Sequence, residues 1–382
     1  MDPQQLRRLA AELVAIPSVN PLDGPIGDGR GEAELAAFVA TRLKDAGAEC
    51  ELKEALPSRP NVIARVAGQS DDVIWFDAHA DTVGVEGMAF PPFEAAIEGD
   101  RLRGRGSADN KGSLAAMMAA LMDVARGAEK PPATILFTAT ADEEYTMRGL
   151  LSLLEAGVTA KAAVVGEPTA LEIIIAHKGV ARFKVSTSGK AAHSSRPDEG
   201  VNAIYRMGQV ITALEHYAKG GVGRETHPLL GKATLSVGVI RGGEYVNVVP
   251  DQCEIDIDRR LLPGEDARRA VADVREYLGN ALKEDVELKV ASPNLVVPGM
   301  TIASETPLVQ AASAAVREVT GKAPFGAMQG ATHAGHMMKA GIPAIVFGPG
   351  PTGQAHTATE ELDLNQLEQA AEVYLRLMRA TL

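Results

Sequence analysis

The sequence predicts an α/β fold: a largely parallel sheet flanked by helices, interrupted by an inserted α+β unit. Three observations carry this. Apolar runs alternate with helical patterns over residues 1–177 and again over 292–382. Between them, over 178–291, the strands switch to strict two-residue alternation, as half-exposed strands do. The chain has 382 residues, of which 46% are hydrophobic and 23% charged, enough apolar material for a sizeable core.

The elements follow in order. MDPQQLRRLAAELVAIPSV places Leu6, Leu9, Leu13 and Val14 at helical spacing, without the basic start and apolar core of a signal peptide. A second helix over about 31–47 stops at Gly47. Strands at 61–67 and 72–78 lead into a Gly-rich loop, then a small-residue helix from Gly112 to about Arg126. Strands at 133–140 and 162–166 complete this part. In the middle segment, VARFKVSTSG is a strand, and a helix over about 200–218 sets Ile204, Met207 and Ile211 on one side. ATLSVGVIRGG and DQCEIDIDRRLL are strands, 265–282 is a helix, and VELKV closes a strand–helix–strand–strand–helix–strand unit. A helix over about 306–319, the strand PAIVFG and a helix from about 361 resume the first texture.

A net charge of −12 argues against a nucleic-acid or anionic-membrane partner. No run reaches the length of about 18 apolar residues that a membrane helix needs. Cys50 and Cys253 fit no disulfide or metal pattern, and Cys253 alternates with Ile255 and Ile257 as a strand-core residue does. The cytoplasm is the expected compartment.

Polar residues gather at strand ends. ILFTATADEE ends a buried-looking strand in Asp142, Glu143 and Glu144, although adjacent carboxylates repel and burial opposes their ionisation. They either face water or meet positive charge. His79 and Asp81 in FDAHADTV share a strand face. Asp109 in RGRGSADNKG follows glycines that let the backbone turn, either as a helix cap or as a carboxylate bridging two metals. Glu167 in VVGEPT and His356 in GQAHTATEEL each follow an apolar strand or a Gly-rich loop. Singly, each reads equally as a solvent-facing loop or strand-end group. Together, five such places in one α/β unit point to a site beyond the strand ends. Asp142 is expected to face solvent or cap the helix near 146.

HADTV, GRGSADNKG, ADEE, GEPT, GKAAHSSRPDEGVNAI, DRRLLPGE and AHTATEE occur in this order across nearly the whole chain. In them the sequence resembles the zinc-dependent M20 family of metallopeptidases and amidohydrolases, in its acetylornithine deacetylase/succinyl-diaminopimelate desuccinylase branch. The resemblance implies two divalent ions, zinc foremost, with cobalt or manganese as alternatives. His79 and Glu167 would hold one ion and Glu144 and His356 the other, with Asp109 bridging. Asp81 would orient the His79 imidazole, and Glu143 would be the general base. The 178–291 segment would be a ferredoxin-like lid and dimerisation domain. Its His193 would reach the partner subunit's site in a homodimer and stabilise the oxyanion.

Arg260, at the arginine of D-x-R-x-x-P-G, would bind a substrate carboxylate, or else pair with Asp256 or Asp258. Asn247 would hydrogen-bond the substrate or product. The loop AMQGATHAGHMMKAGIP departs from the family: Gly330 and Thr332 remain for substrate binding, but His333 stands where relatives carry Asp. His336, three residues on, can share its helix face, and both imidazoles either line the substrate pocket or face solvent. The implied activity is removal of the acyl group from a small N-acyl amino acid with a free carboxylate. A carboxypeptidase or dipeptidase is the alternative, and a non-catalytic metal-binding scaffold the reading from another class.

Overall fold

The computed structural model describes residues 2–23, 30–282 and 286–382. They form two compact units. Unit 1 holds the residues up to Ile175 with Ile302–Gly326 and Thr332–Leu382, and unit 2 holds Ala176–Thr301 with Ala327–Ala331.

The chain begins with helices α1 (Pro3–Ala15) and α2 (Arg30–Asp45) and strands β1 (Glu49–Leu56), β2 (Arg59–Val66) and β3 (Ser70–His79). Helix α3 (Lys111–Arg126), β4 (Ala133–Thr140), α4 (Arg148–Glu155), β5 (Ala162–Gly166) and β6 (Ile173–His177) follow. Next come β7 (Gly179–Ser188), α5 (Ala203–Gly220), β8 (Gly231–Gly242), β9 (Gln252–Leu261), α6 (Ala267–Ala281) and β10 (Leu288–Val290). The chain closes with α7 (Pro307–Thr320), α8 (His333–Lys339), β11 (Ala344–Phe347) and α9 (Leu364–Met378).

In unit 1 the sheet order is β1-β2-β4-β3-β5-β11-β6. The central pairs β4/β3, β3/β5 and β5/β11 are parallel, and the margins β1/β2, β2/β4 and β11/β6 are antiparallel. The parallel strands are buried on both faces, which is why they read as continuous apolar runs. Helices α1, α3, α7 and α9 pack together as a layer. Leu6, Leu9, Leu13 and Val14 of α1 are all buried, as their spacing predicts. Tyr374 of α9 packs edge-on against Phe76 and Phe347, and its hydroxyl donates to the Phe347 carbonyl at 2.6 Å, so the buried hydroxyl is satisfied. Strand β1 has no counterpart in the sequence reading, because ECELKEAL lies at the sheet edge and is mostly exposed.

In unit 2 the order β8-β9-β7-β10 is antiparallel throughout. Numbered along its strand–helix–strand–strand–helix–strand path, this is the 2-3-1-4 arrangement of the ferredoxin-like fold. Inward residues Phe183, Val185, Ile255 and Ile257 meet Met207 and Val210 of α5 and Val274 and Leu278 of α6 in one core. Cys253 is buried in the same row. Asn202 and Asp266 cap α5 and α6 by accepting from backbone N–H groups of their first turns.

Candidate metal centre

Strand β3 lies between β4 and β5 and runs parallel to both, so the carboxyl ends of all three reach one edge of the sheet. His79 ends β3, Glu143 and Glu144 follow β4, and Glu167 follows β5. Asp109 lies just before α3, and His356 on the loop between β11 and α9. Gly166 allows this convergence: a Cβ there would lie 2.8 Å from the Ser113 Cβ and 3.1 Å from the Met117 Cε of α3.

The Asp109 carboxylate is the centre of the cluster. Its Oδ1 is 3.0 Å from His79 Nε2, and its Oδ2 is 3.4 Å from His356 Nε2. His356 Nε2 is also 3.1 Å from Glu144 Oε2. Two sets of side chains, His79–Asp109–Glu167 and Asp109–Glu144–His356, each bring ligand atoms within 4.8 Å of one another. Asp109 belongs to both. The His79 Nδ1 lies 3.0 Å from the backbone carbonyl oxygen of Asp81 and 3.6 Å from its carboxylate Oδ1, which fixes the ring. The Asp81 carboxylate accepts the backbone N–H groups of Glu143 and Glu144 at 2.9 and 3.2 Å.

The electrostatics are those of acids crowded around too little positive charge. Burial and the charge of Asp109 push Glu144 up to about 8 and Glu167 well above the usual carboxylate range. Burial raises Glu143 as well, against the opposing pull of His79 and His333. Burial alone would raise Asp109, but hydrogen bonds from His356 and His79 outweigh it and hold that carboxylate low. The hydrogen bonds to Asp109 and Glu144 push His356 up to about 11. The residues fit divalent ions on two counts: the donors are imidazole nitrogens and carboxylate oxygens, and Glu144 Oε1 is buried without a hydrogen-bond partner.

Several supporting residues escaped the sequence reading. Glu360 is fully buried and accepts the backbone N–H groups of Gly106, Ala108 and Asp109. Of the two expectations for Asp142, the solvent-facing one fails and the capping one holds: it is 1% exposed, its Oδ2 accepts the Arg148 N–H at the start of α4 at 3.4 Å, and it is also bonded to Arg59 and Asn20, both distant in sequence. His333 is buried rather than turned to water, with Nδ1 2.7 Å from Asp77 Oδ2. Asp77 also accepts from the Thr138 and Thr140 hydroxyls. Thr332 caps α8 by accepting from the Ala334 N–H at 3.2 Å, and Gly330 is exposed in unit 2. A buried polar residue inside an apolar run, as in VIWFDAH, is the signal that could have revealed Asp77.

His193, Asn247 and Arg260 belong to unit 2. His193 is exposed, with Nδ1 2.7 Å from Ser195 Oγ. Asn247 is exposed, and its backbone carbonyl accepts the Ser194 N–H at 3.0 Å. The Arg260 Nε donates to Asp258 Oδ1 at 2.7 Å, so in this structure the guanidinium has an internal partner. Among the described residues no helix is long and apolar enough to cross a membrane.

A parallel-centred sheet whose strand ends gather two sets of imidazole and carboxylate donors defines the architecture of a metallohydrolase. The family model for peptidase family M20/M25/M40 matches residues 75–380, and the chain belongs to that family. It is 31% identical to the acetylornithine deacetylase of Myxococcus xanthus, over 97% of this chain and 96% of that protein. It is 27% identical to an N-formyl-4-amino-5-aminomethyl-2-methylpyrimidine deformylase of Halalkalibacterium halodurans, over 97% and 93% of the two chains. Among solved structures it resembles aminopeptidase PepT of Bacillus cereus, with a TM-score of 0.77 and 25% identity over 99% of this chain and 98% of that one. The protein is accordingly a hydrolase of amide bonds.

Proposed function

We propose that the chain removes the acyl group from a small N-acyl amino acid with a free carboxylate, using two divalent ions, zinc foremost. The observation that carries this is the shared Asp109, with one oxygen toward His79 and the other toward His356. His79 and Glu167 would hold one ion, Glu144 and His356 the other, and Asp109 both. When bound, the pair of ions supplies Lewis acidity that polarises the scissile carbonyl and acidifies an attacking water.

The chain's own groups do the rest. Glu143 takes the proton from the water as the C–O bond forms and delivers it to the amine nitrogen as the C–N bond breaks. Its carboxyl is raised by burial, which suits a group that must both accept and release a proton. Asp81 holds the backbone of Glu143 and Glu144 so that the two side chains diverge to separate tasks. The similarity to acetylornithine deacetylases over nearly the full length favours deacylation, and the likeness to aminopeptidase PepT keeps peptide cleavage as the second reading.

His193 as oxyanion stabiliser and Arg260, Asn247, Gly330, Thr332 and His333 as substrate contacts complete the proposal, with a homodimer formed through unit 2. Exposed apolar side chains on that unit, Tyr205, Ile240, Tyr245 and Val246, at 76, 53, 68 and 102% exposure, support a covered face. Sedimentation at twice the chain mass is expected, and a monomer at micromolar concentration would rule the dimer out. The reaction is tested by Glu143→Gln. That variant is expected to lose about 10²–10⁴-fold in kcat on N-acetyl, N-succinyl or dipeptide substrates while retaining its zinc. Wild-type turnover by this variant would remove Glu143 as the base.

A further inference from the structure

We propose that Asn20, Asp142 and Arg59 form a buried relay that positions Asp81, and through it the backbone of Glu143 and Glu144. The inference rests on the two-metal reading above.

The chain of contacts is continuous. Asp81 Oδ2, which accepts the Glu144 N–H, also accepts from Asn20 Nδ2 at 2.8 Å. The same Asn20 nitrogen donates to Asp142 Oδ1 at 3.0 Å, so its two hydrogens bridge two carboxylates. Asp142 Oδ1 also accepts from Arg59 Nη2 at 2.9 Å, and Arg59 is in turn paired with Glu32, with Nη2 3.1 Å from Oε1 and Nε on Oε2. The other oxygen of Asp142 takes the Thr146 hydroxyl and the Arg148 N–H. Asn20 is itself held by its backbone N–H on the Thr82 carbonyl at 2.8 Å. The side chains come from the segment before α2, from α2, from β2, from the loop after β3 and from the turn after β4. All five are nearly sealed from water: Asn20 0%, Glu32 1%, Arg59 7%, Asp81 0% and Asp142 1% exposed.

Two buried carboxylates on one guanidinium, with a third joined to them through Asn20, are a costly way to fill space, since well-packed apolar residues are often as stable or more so. Apolar residues cannot aim an acceptor. This set aims the two Asp81 oxygens at consecutive N–H groups, those of the proposed base and its neighbouring ligand. A displacement of about 1 Å at such a point can cost about 10²-fold in rate. Asn20 is the narrowest link: its side chain hydrogen-bonds both Asp81 and Asp142, and its removal leaves the Arg59 ion pairs intact.

The test uses the full chain with added zinc. Zinc affinity is read by competition with a chromophoric chelator, kcat and KM on an N-acyl amino acid, and the melting temperature on metal-free protein. Asn20→Ala is expected to lower the metal-free melting temperature, since two buried carboxylates lose a donor, and, at temperatures where the variant is fully folded, to weaken zinc about tenfold and lower kcat about tenfold with KM close to wild type. Arg59→Lys keeps the charge but reaches only one of its two carboxylates, and is expected to give the same paired losses. The double variant is expected to be no worse than either single one, because both cut one relay. Wild-type zinc affinity and kcat in Asn20→Ala would overturn the relay, as would losses that merely track the folded fraction. A wild-type chain that takes up no zinc and hydrolyses no amide overturns the two-metal reading and the relay with it, and the wild-type control tells the two failures apart.

Discussion

Glu360 has both carboxylate oxygens engaged: Oε1 accepts the Ala108 and Asp109 N–H groups at 3.0 Å each, and Oε2 the Gly106 N–H at 3.1 Å and Arg105 Nη1 at 2.7 Å. Every partner is a donor, so only an acceptor fits. Glu360→Gln turns an amide NH₂ toward one of these pairs and leaves buried donors facing a donor. It is expected to destabilise the protein by about 2 kcal/mol, read as a lower urea midpoint at constant m-value, and an unchanged midpoint would refute the clamp. Single residues show clearly what a sequence carries locally and what it does not. His79, Asp109, Glu144 and Glu167 stand out because each interrupts or ends an apolar run or follows glycines. Their supports do not stand out, since Glu360 lies 251 residues from Asp109 and Arg59 lies 83 from Asp142. Asp142 looks like a solvent-facing acid for that reason alone: nothing beside it in sequence reveals a guanidinium.

At the scale of elements, the contact of α3 with β5 decides where Glu167 goes. Gly166 faces Ser113 and Met117 of α3, and a methyl there would also come within 3.4 Å of the Ala78 Cβ on β3. These neighbours are buried side chains with little room to retreat. Gly166→Ala is expected to cost about 1–3 kcal/mol and lower the melting temperature, through overpacking. A melting temperature at or above wild type would show that α3 is not pressed against this strand. The central strands are legible because burial on both faces demands unbroken apolar runs. Strand β1 is not, because an edge strand with little buried surface needs no apolar pattern, and its charges protect the edge. The antiparallel margins are also silent in sequence, since strand direction is a matter of hydrogen-bond partners rather than of residue type.

At the scale of the whole molecule, the shift from unbroken to alternating strands marks the second unit, and its βαββαβ order gives the sheet that follows from it. The five residues Ala327–Ala331, which group with unit 2, leave no such mark. They are placed by long-range contacts such as the Lys178 N–H on the Met328 carbonyl at 3.1 Å. The two donor sets of unit 1 make the central claim countable. Zinc per chain, measured by elemental analysis after equilibration with micromolar zinc and removal of free metal, tests it most directly. Two zinc ions per wild-type chain are expected, still two in Glu143→Gln, and fewer than two when Glu144 and His356 are replaced together by Gln and Ala. A wild-type chain that holds no zinc, cobalt or manganese above background would contradict it.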